Sequence, residues 1–176
     1  MKSHIEKMQI AAVKHARTNI VPTHSVVIDL KKSRSLKDAV VESVVIDSVI
    51  AENTFHSFRK ALSKRCYSKP YLLTHRRYSK SYYRRHKPLI AACCSVERSK
   101  DNRYHLHVLL RKPDHMTEHC FRFAINATAH KNKFIETNRK YAVHITAFDD
   151  TTDDHIRNTM FYNFKSINRT DQYIVL

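Results

Sequence analysis

At 176 residues the chain suits one domain with its own hydrophobic core and is short for two. Its 32 lysines and arginines face 16 aspartates and glutamates, a formal charge of +16 at pH 7, which predicts a polyanionic partner and nucleic acid first. Glycine is absent altogether, which excludes a Walker A loop and a GxGxxG fingerprint, because both need a backbone that closely approaches phosphate.

Residues 1–21 read as a basic N-terminal helix or arm ahead of a domain spanning 22–176. Charge interrupts "MKSHIEKMQIAAVKHARTNI" every few residues, and the chain has no apolar run of membrane-spanning length. The expectation is a soluble protein of the cytoplasm with no membrane partner. "HSVVIDL" (24–30) has the β-branched content of a strand. From Ser35 to Ser68 apolar residues fall at Leu36, Val40, Val44, Ile50, Phe55, Phe58 and Leu62, which predicts one long helix or two shorter ones, with Ser35 as an N-cap.

Residues 68–88 are the most cationic stretch, bracketed by Pro70 and Pro88. Cations at Arg76, Arg77, Lys80, Arg84 and Arg85 alternate with tyrosines such as Tyr82. This is the composition of a surface that tracks a single strand, cations meeting phosphates and rings stacking on bases, and equally of a solvated basic loop. "PLIAACCSVER" (88–98) and "RYHLHVLLRKP" (103–113) then predict a hairpin turning at "SKDN". Beyond it come a helix over 117–131, a strand over 140–148, a helix over 149–166 and a last strand over 172–176. The order β-α-β-β-α-β-α-β predicts an α+β fold, a central antiparallel sheet with flanking helices. Cys66, Cys93, Cys94 and Cys120 form no CxxC pair, so they read as reduced thiols and not as a zinc ribbon.

Two groups of residues carry possible chemistry. His105 and His107 lie two apart on a strand, so they share a face about 7 Å apart, and closure of the hairpin returns Glu97 alongside them. Two imidazoles and a carboxylate suit Mn²⁺, Mg²⁺ or Zn²⁺ acting as a Lewis acid. With 13 histidines in the chain, a chance histidine pair is the competing reading. In the helix that follows, Ile156, Met160, Phe161 and Phe164 span one arc, while Tyr162 and Lys165 share the polar one. A phenol beside an ammonium and a metal site suggests nucleophilic attack on a phosphodiester; a surface tyrosine is the plain alternative.

In order, "THSVVIDL", "HLH" with Glu97 upstream, and "YNFK" on a helix resemble the three motifs of the rolling-circle replication initiators of the HUH endonuclease superfamily. The resemblance covers about residues 22–176 and implies an HUH/RRM-like catalytic domain. It implies that His105, His107 and Glu97 hold a divalent cation, Mn²⁺ or Mg²⁺, that Tyr162 attacks the scissile phosphate to form a 5′-phosphotyrosine, and that Lys165 orients or neutralises nearby charge. Position 161 is Phe, so the motif has a single tyrosine. The implied partners are single-stranded or hairpin DNA at a replication origin, with a host helicase and polymerase. A single-tyrosine transposase of the same superfamily and a non-catalytic nucleic-acid-binding α+β domain remain as alternatives.

Overall fold

The computed structural model describes residues 3–31, 47–68, 84–99, 103–139, 141–148, 153–165 and 173–175. The chain is α+β, with α1 (His4–His15), β1 (His24–Asp29), α2 (Ser48–Ser68), β2 (Ala92–Arg98), β3 (Tyr104–Leu110), α3 (Glu118–Ala129), β4 (Val143–Ala147), α4 (Asp153–Asn163) and β5 (Tyr173–Val175). The five strands form one antiparallel sheet in the order β4-β1-β3-β2-β5. The histidine strand β3 is therefore central.

Local chemistry explains where the elements start. At α1 the Ser3 hydroxyl accepts from the Glu6 N–H (3.2 Å) while the Glu6 carboxylate accepts from the Ser3 N–H (2.8 Å), a reciprocal capping box. At α3 the Thr117 hydroxyl accepts from the Cys120 N–H. Helix α2 begins at Ser48, where the Asp47 carboxylate accepts from the Ile50 N–H at 2.8 Å. This cap supports the shorter-helix alternative for its start; the expected N-cap Ser35, with Leu36, Val40 and Val44, lies outside the described residues.

Alternation in the strands creates two unlike faces. Val26, Ile28, Val96, Leu106, Val108 and Leu110 point to one side and are buried. There they meet Ala51, Phe55, Phe58, Leu62 and Cys66, a stripe along α2 with spacings of four and three residues, and Phe121, Ala124, Ile125 and Ala129 of α3. Each fully buried large apolar side chain contributes about 1.5–3 kcal/mol, so this layer supplies most of the hydrophobic driving force. The other face carries a smaller core in which Cys93 and Leu109 pack under Val13 and Ala16, Met160 and Phe164. Helices thus cover both faces, and α1 contributes to the second core through Val13.

Several strands are shorter than their apolar runs. The run expected over 88–98 pairs only from Ala92, and the one over 140–148 only from Val143 to Ala147. Among the described residues of the basic segment, 84–86 form a single helical turn in which Arg84 and Arg85 are exposed.

Candidate functional site

The site lies on the second face, beyond the end of its apolar core. Antiparallel register sets Asp29 and Glu97 directly opposite His105 on either side, and Val27 and Ser95 opposite His107. Opposed residues share a face, so two carboxylates flank the histidine pair. The carboxylates divide the imidazoles between them. His105 Nδ1 donates to Asp29 Oδ1 at 2.7 Å, while His107 Nε2 donates to Glu97 Oε2 at 2.9 Å, a diagonal contact across the hairpin. A guanidinium steadies Asp29, whose other oxygen lies 3.5 Å from Arg139.

These bonds assign the tautomers of neutral imidazoles. A carboxylate only accepts, so His105 carries its proton on Nδ1 and keeps its lone pair on Nε2. By the same logic His107 carries its proton on Nε2 and its lone pair on Nδ1, which is buried without a partner among the described residues. The hydroxyl of Ser95, opposite His107, is likewise buried and unpartnered.

Helix α4 brings the tyrosine to this place. Met160 and Phe164 bury one side of the helix, and Asn163 donates to the Ser25 hydroxyl at 3.1 Å, which ties α4 to β1. With that side fixed, Tyr162 turns outward at 58% exposure, and its ring meets the His107 ring edge-on at 6.2 Å. Lys165, in the turn that ends the helix, lies with Nζ 3.7 Å from the centre of the Tyr162 ring and 4.0 Å from Glu97 Oε2. A cation over the ring face is attracted by its quadrupole. One ammonium therefore bridges the phenol ring and the carboxylate that holds His107.

The structure thus brings His105, His107, Glu97, Tyr162 and Lys165 together on one face. Arg84 and Arg85 lie in the exposed helical turn at 84–86, and Arg76, Arg77, Lys80 and Tyr82 lie outside the described residues. Asp29 is the addition that sequence reading missed. Its signal was present, because period two in "HSVVID" puts Asp29 on the face of Ser25 and Val27, but only the pairing of β1 with β3 brings that face to the histidines.

Among the described residues no three histidine, cysteine or carboxylate side chains are drawn together tightly enough to form a metal site as they stand. The donor types nevertheless suit a hard divalent cation. Asp29 locks the His105 ring by its Nδ1–H and leaves Nε2 as a donor, the usual role of a carboxylate behind a metal-binding histidine. Glu97 already faces His107 Nε2, at a contact where a cation could replace the shared proton.

Comparison with protein-family models, with curated proteins and with solved structures finds no match to this chain.

Proposed function

We propose that this protein is a metal-dependent enzyme that nicks and rejoins single-stranded DNA through a 5′-phosphotyrosine, with an HUH/RRM-like catalytic domain, and that it starts rolling-circle replication of a plasmid, phage or virus. The observation that carries this reading is the convergence of Tyr162 and Lys165, from α4 and the turn that ends it, with the carboxylate-held histidine pair of β3. A histidine pair or an exposed tyrosine alone would have little weight. Their meeting on one sheet face, bridged by a lysine, is what a transesterification centre requires.

In this mechanism His105, His107 and Glu97 would hold Mn²⁺ or Mg²⁺, which would supply Lewis-acid polarisation of the scissile phosphate. The phenolic oxygen of Tyr162 attacks phosphorus, the bond from phosphorus to the 3′ oxygen breaks, and the phenol's proton is lost as the leaving oxygen gains one. The new tyrosyl phosphodiester conserves the energy of the old one, so attack by a 3′-hydroxyl reverses the step and rejoins the strand. Lys165 places positive charge beside the developing phenolate and the phosphate. A host helicase and polymerase would supply unwinding and synthesis.

The test is incubation with Mn²⁺ and labelled single-stranded oligonucleotides, followed by denaturing electrophoresis. Wild type should give a protein-linked DNA band, and Tyr162→Phe or the double variant His105→Ala, His107→Ala should give none. Cleavage that survives Tyr162→Phe would replace the tyrosine mechanism with metal-assisted hydrolysis. Binding without cleavage on every substrate would favour the non-catalytic module.

A further inference from the structure

A second feature of α4 lies around the helix from Tyr162. Ile10, Val13, Lys14 and Arg17 recur at helical spacing on the α1 side, and Arg157 and Phe161 are four apart on α4; together they line an open groove of about 520 Å³. That volume is within the range of small-ligand sites. The groove is pinned at both ends. Gln9 Nε2 donates to the carbonyls of Phe164 (3.3 Å) and Lys165 (3.2 Å), while the Arg17 guanidinium pairs with both oxygens of Asp153 at 2.8 and 3.1 Å. The eight residue steps from Gln9 to Arg17 rise about 12 Å along α1 and the turn that continues it, and one pin holds the backbone of Lys165 itself.

The lining chemistry selects an occupant. Ile10, Val13 and Phe161 make an apolar floor with one aromatic ring. Lys14 and Arg157 are exposed on the rim and have no acidic partner among the described residues, whereas the charge of Arg17 is met by Asp153. An apolar floor with a ring and unpaired cations at the edge matches an unpaired nucleotide, whose base stacks while its phosphate meets the cations. The overall charge of +16 draws such a polyanion to the surface.

Building on the proposed function, we infer that the α1–α4 groove is a subsite for unpaired DNA, which seats a base on Phe161 and flanking phosphates on Lys14 and Arg157, and so leads the strand toward Tyr162. Phe161 and Tyr162 are adjacent in α4, so a nucleotide held on the first is within a short stretch of strand of the second.

The chain contains no tryptophan, so a single introduced one reports on the groove alone. Phe161→Trp and, as an independent reporter, Ile10→Trp would be titrated with fluorescein-labelled oligothymidylate, following tryptophan emission and label anisotropy together. Quenching that tracks the anisotropy in at least one folded reporter is expected. Adding Lys14→Ala and Arg157→Ala should abolish it and flatten the dependence of log affinity on log salt by about 1.4, the share of two phosphate contacts. Anisotropy without quenching in both reporters would overturn the groove assignment and leave the nicking reading standing. No binding of any oligonucleotide would overturn both. A blue shift with anionic phospholipid vesicles and no response to DNA would make the groove a membrane contact instead.

Discussion

Asp29 and Glu97 do unequal work on the two histidines. Glu97 meets His107 at a donor atom that a metal would take, whereas Asp29 meets His105 at the far nitrogen and sets the direction of its lone pair. Asp29 is therefore read as a positioning residue. Replacing it by asparagine keeps the size but leaves an amide that either accepts weakly through its oxygen or donates through its nitrogen, so the His105 tautomer is no longer forced. Asp29→Asn should fold normally and bind Mn²⁺ about 10- to 100-fold more weakly, as read by calorimetry. Unchanged affinity would show that the carboxylate does not set His105 for metal. His105, His107 and Glu97 could be named from strand period and a presumed hairpin. Asp29 could not, since its strand is about 75 residues away in the chain and reaches β3 only through sheet order.

Among the elements, the short π-helical turn after α1, residues Ala16–Ile20, shows what a chain without glycine must accept. It ends at Val21 with φ of 49°, immediately before Pro22, and Lys87 before Pro88 has φ of 41°. Left-handed backbone is costly for a β-branched residue, by about 1–2 kcal/mol, and glycine adopts it without a Cβ clash. Val21 is exposed, so little packing is lost with its side chain. Val21→Gly should raise stability by about 0.5–1 kcal/mol in urea unfolding, the relief of strain exceeding the added entropy of the unfolded chain. A loss of stability would mean that the Val21 conformation is not strained. Element type was readable because period and cap residues are local signals. The ends were not, because an apolar run continues past the last residue that finds a partner strand, as at 88–91 ahead of β2.

At the scale of the whole molecule, the two cores trap most of the thiols. Cys66 and Cys94 lie in the larger core and Cys93 in the smaller, and Cys120 alone of the four keeps partial exposure. Burial disfavours the thiolate, which raises the Cys66 and Cys94 thiols well above their ordinary range and pushes Cys93 up to about 12. The folded chain therefore keeps protons that the unfolded chain releases above about pH 9, the ordinary thiol value. Their contribution is whole below that pH and is lost as pH rises toward 12, at up to about 1.4 kcal/mol per pH unit for each thiol. Unfolding by urea between pH 8 and 11 should show this decline, and a variant with Cys93→Ala should show a shallower one. In the native protein at pH 8 a thiol reagent should modify Cys120 quickly and the other three only on unfolding. Rapid reaction of all four would show that the cores open readily.

The sequence by itself determined what depends on neighbours along the chain: the alternation that makes β3 a two-faced strand, the helical arc that parts Tyr162 and Lys165 from Phe164, and the positive charge. These follow from the fixed periods of strand and helix, which are properties of the backbone. Tertiary structure decided what depends on neighbours across space. The order β4-β1-β3-β2-β5 brought Asp29 to His105, and the packing of α4 over the sheet set Tyr162 against His107. The antiparallel lie of α1 along α4 opened the groove beside Phe161. Such contacts join segments far apart in the chain, and their geometry is set by the burial of two cores, to which no local pattern gives access.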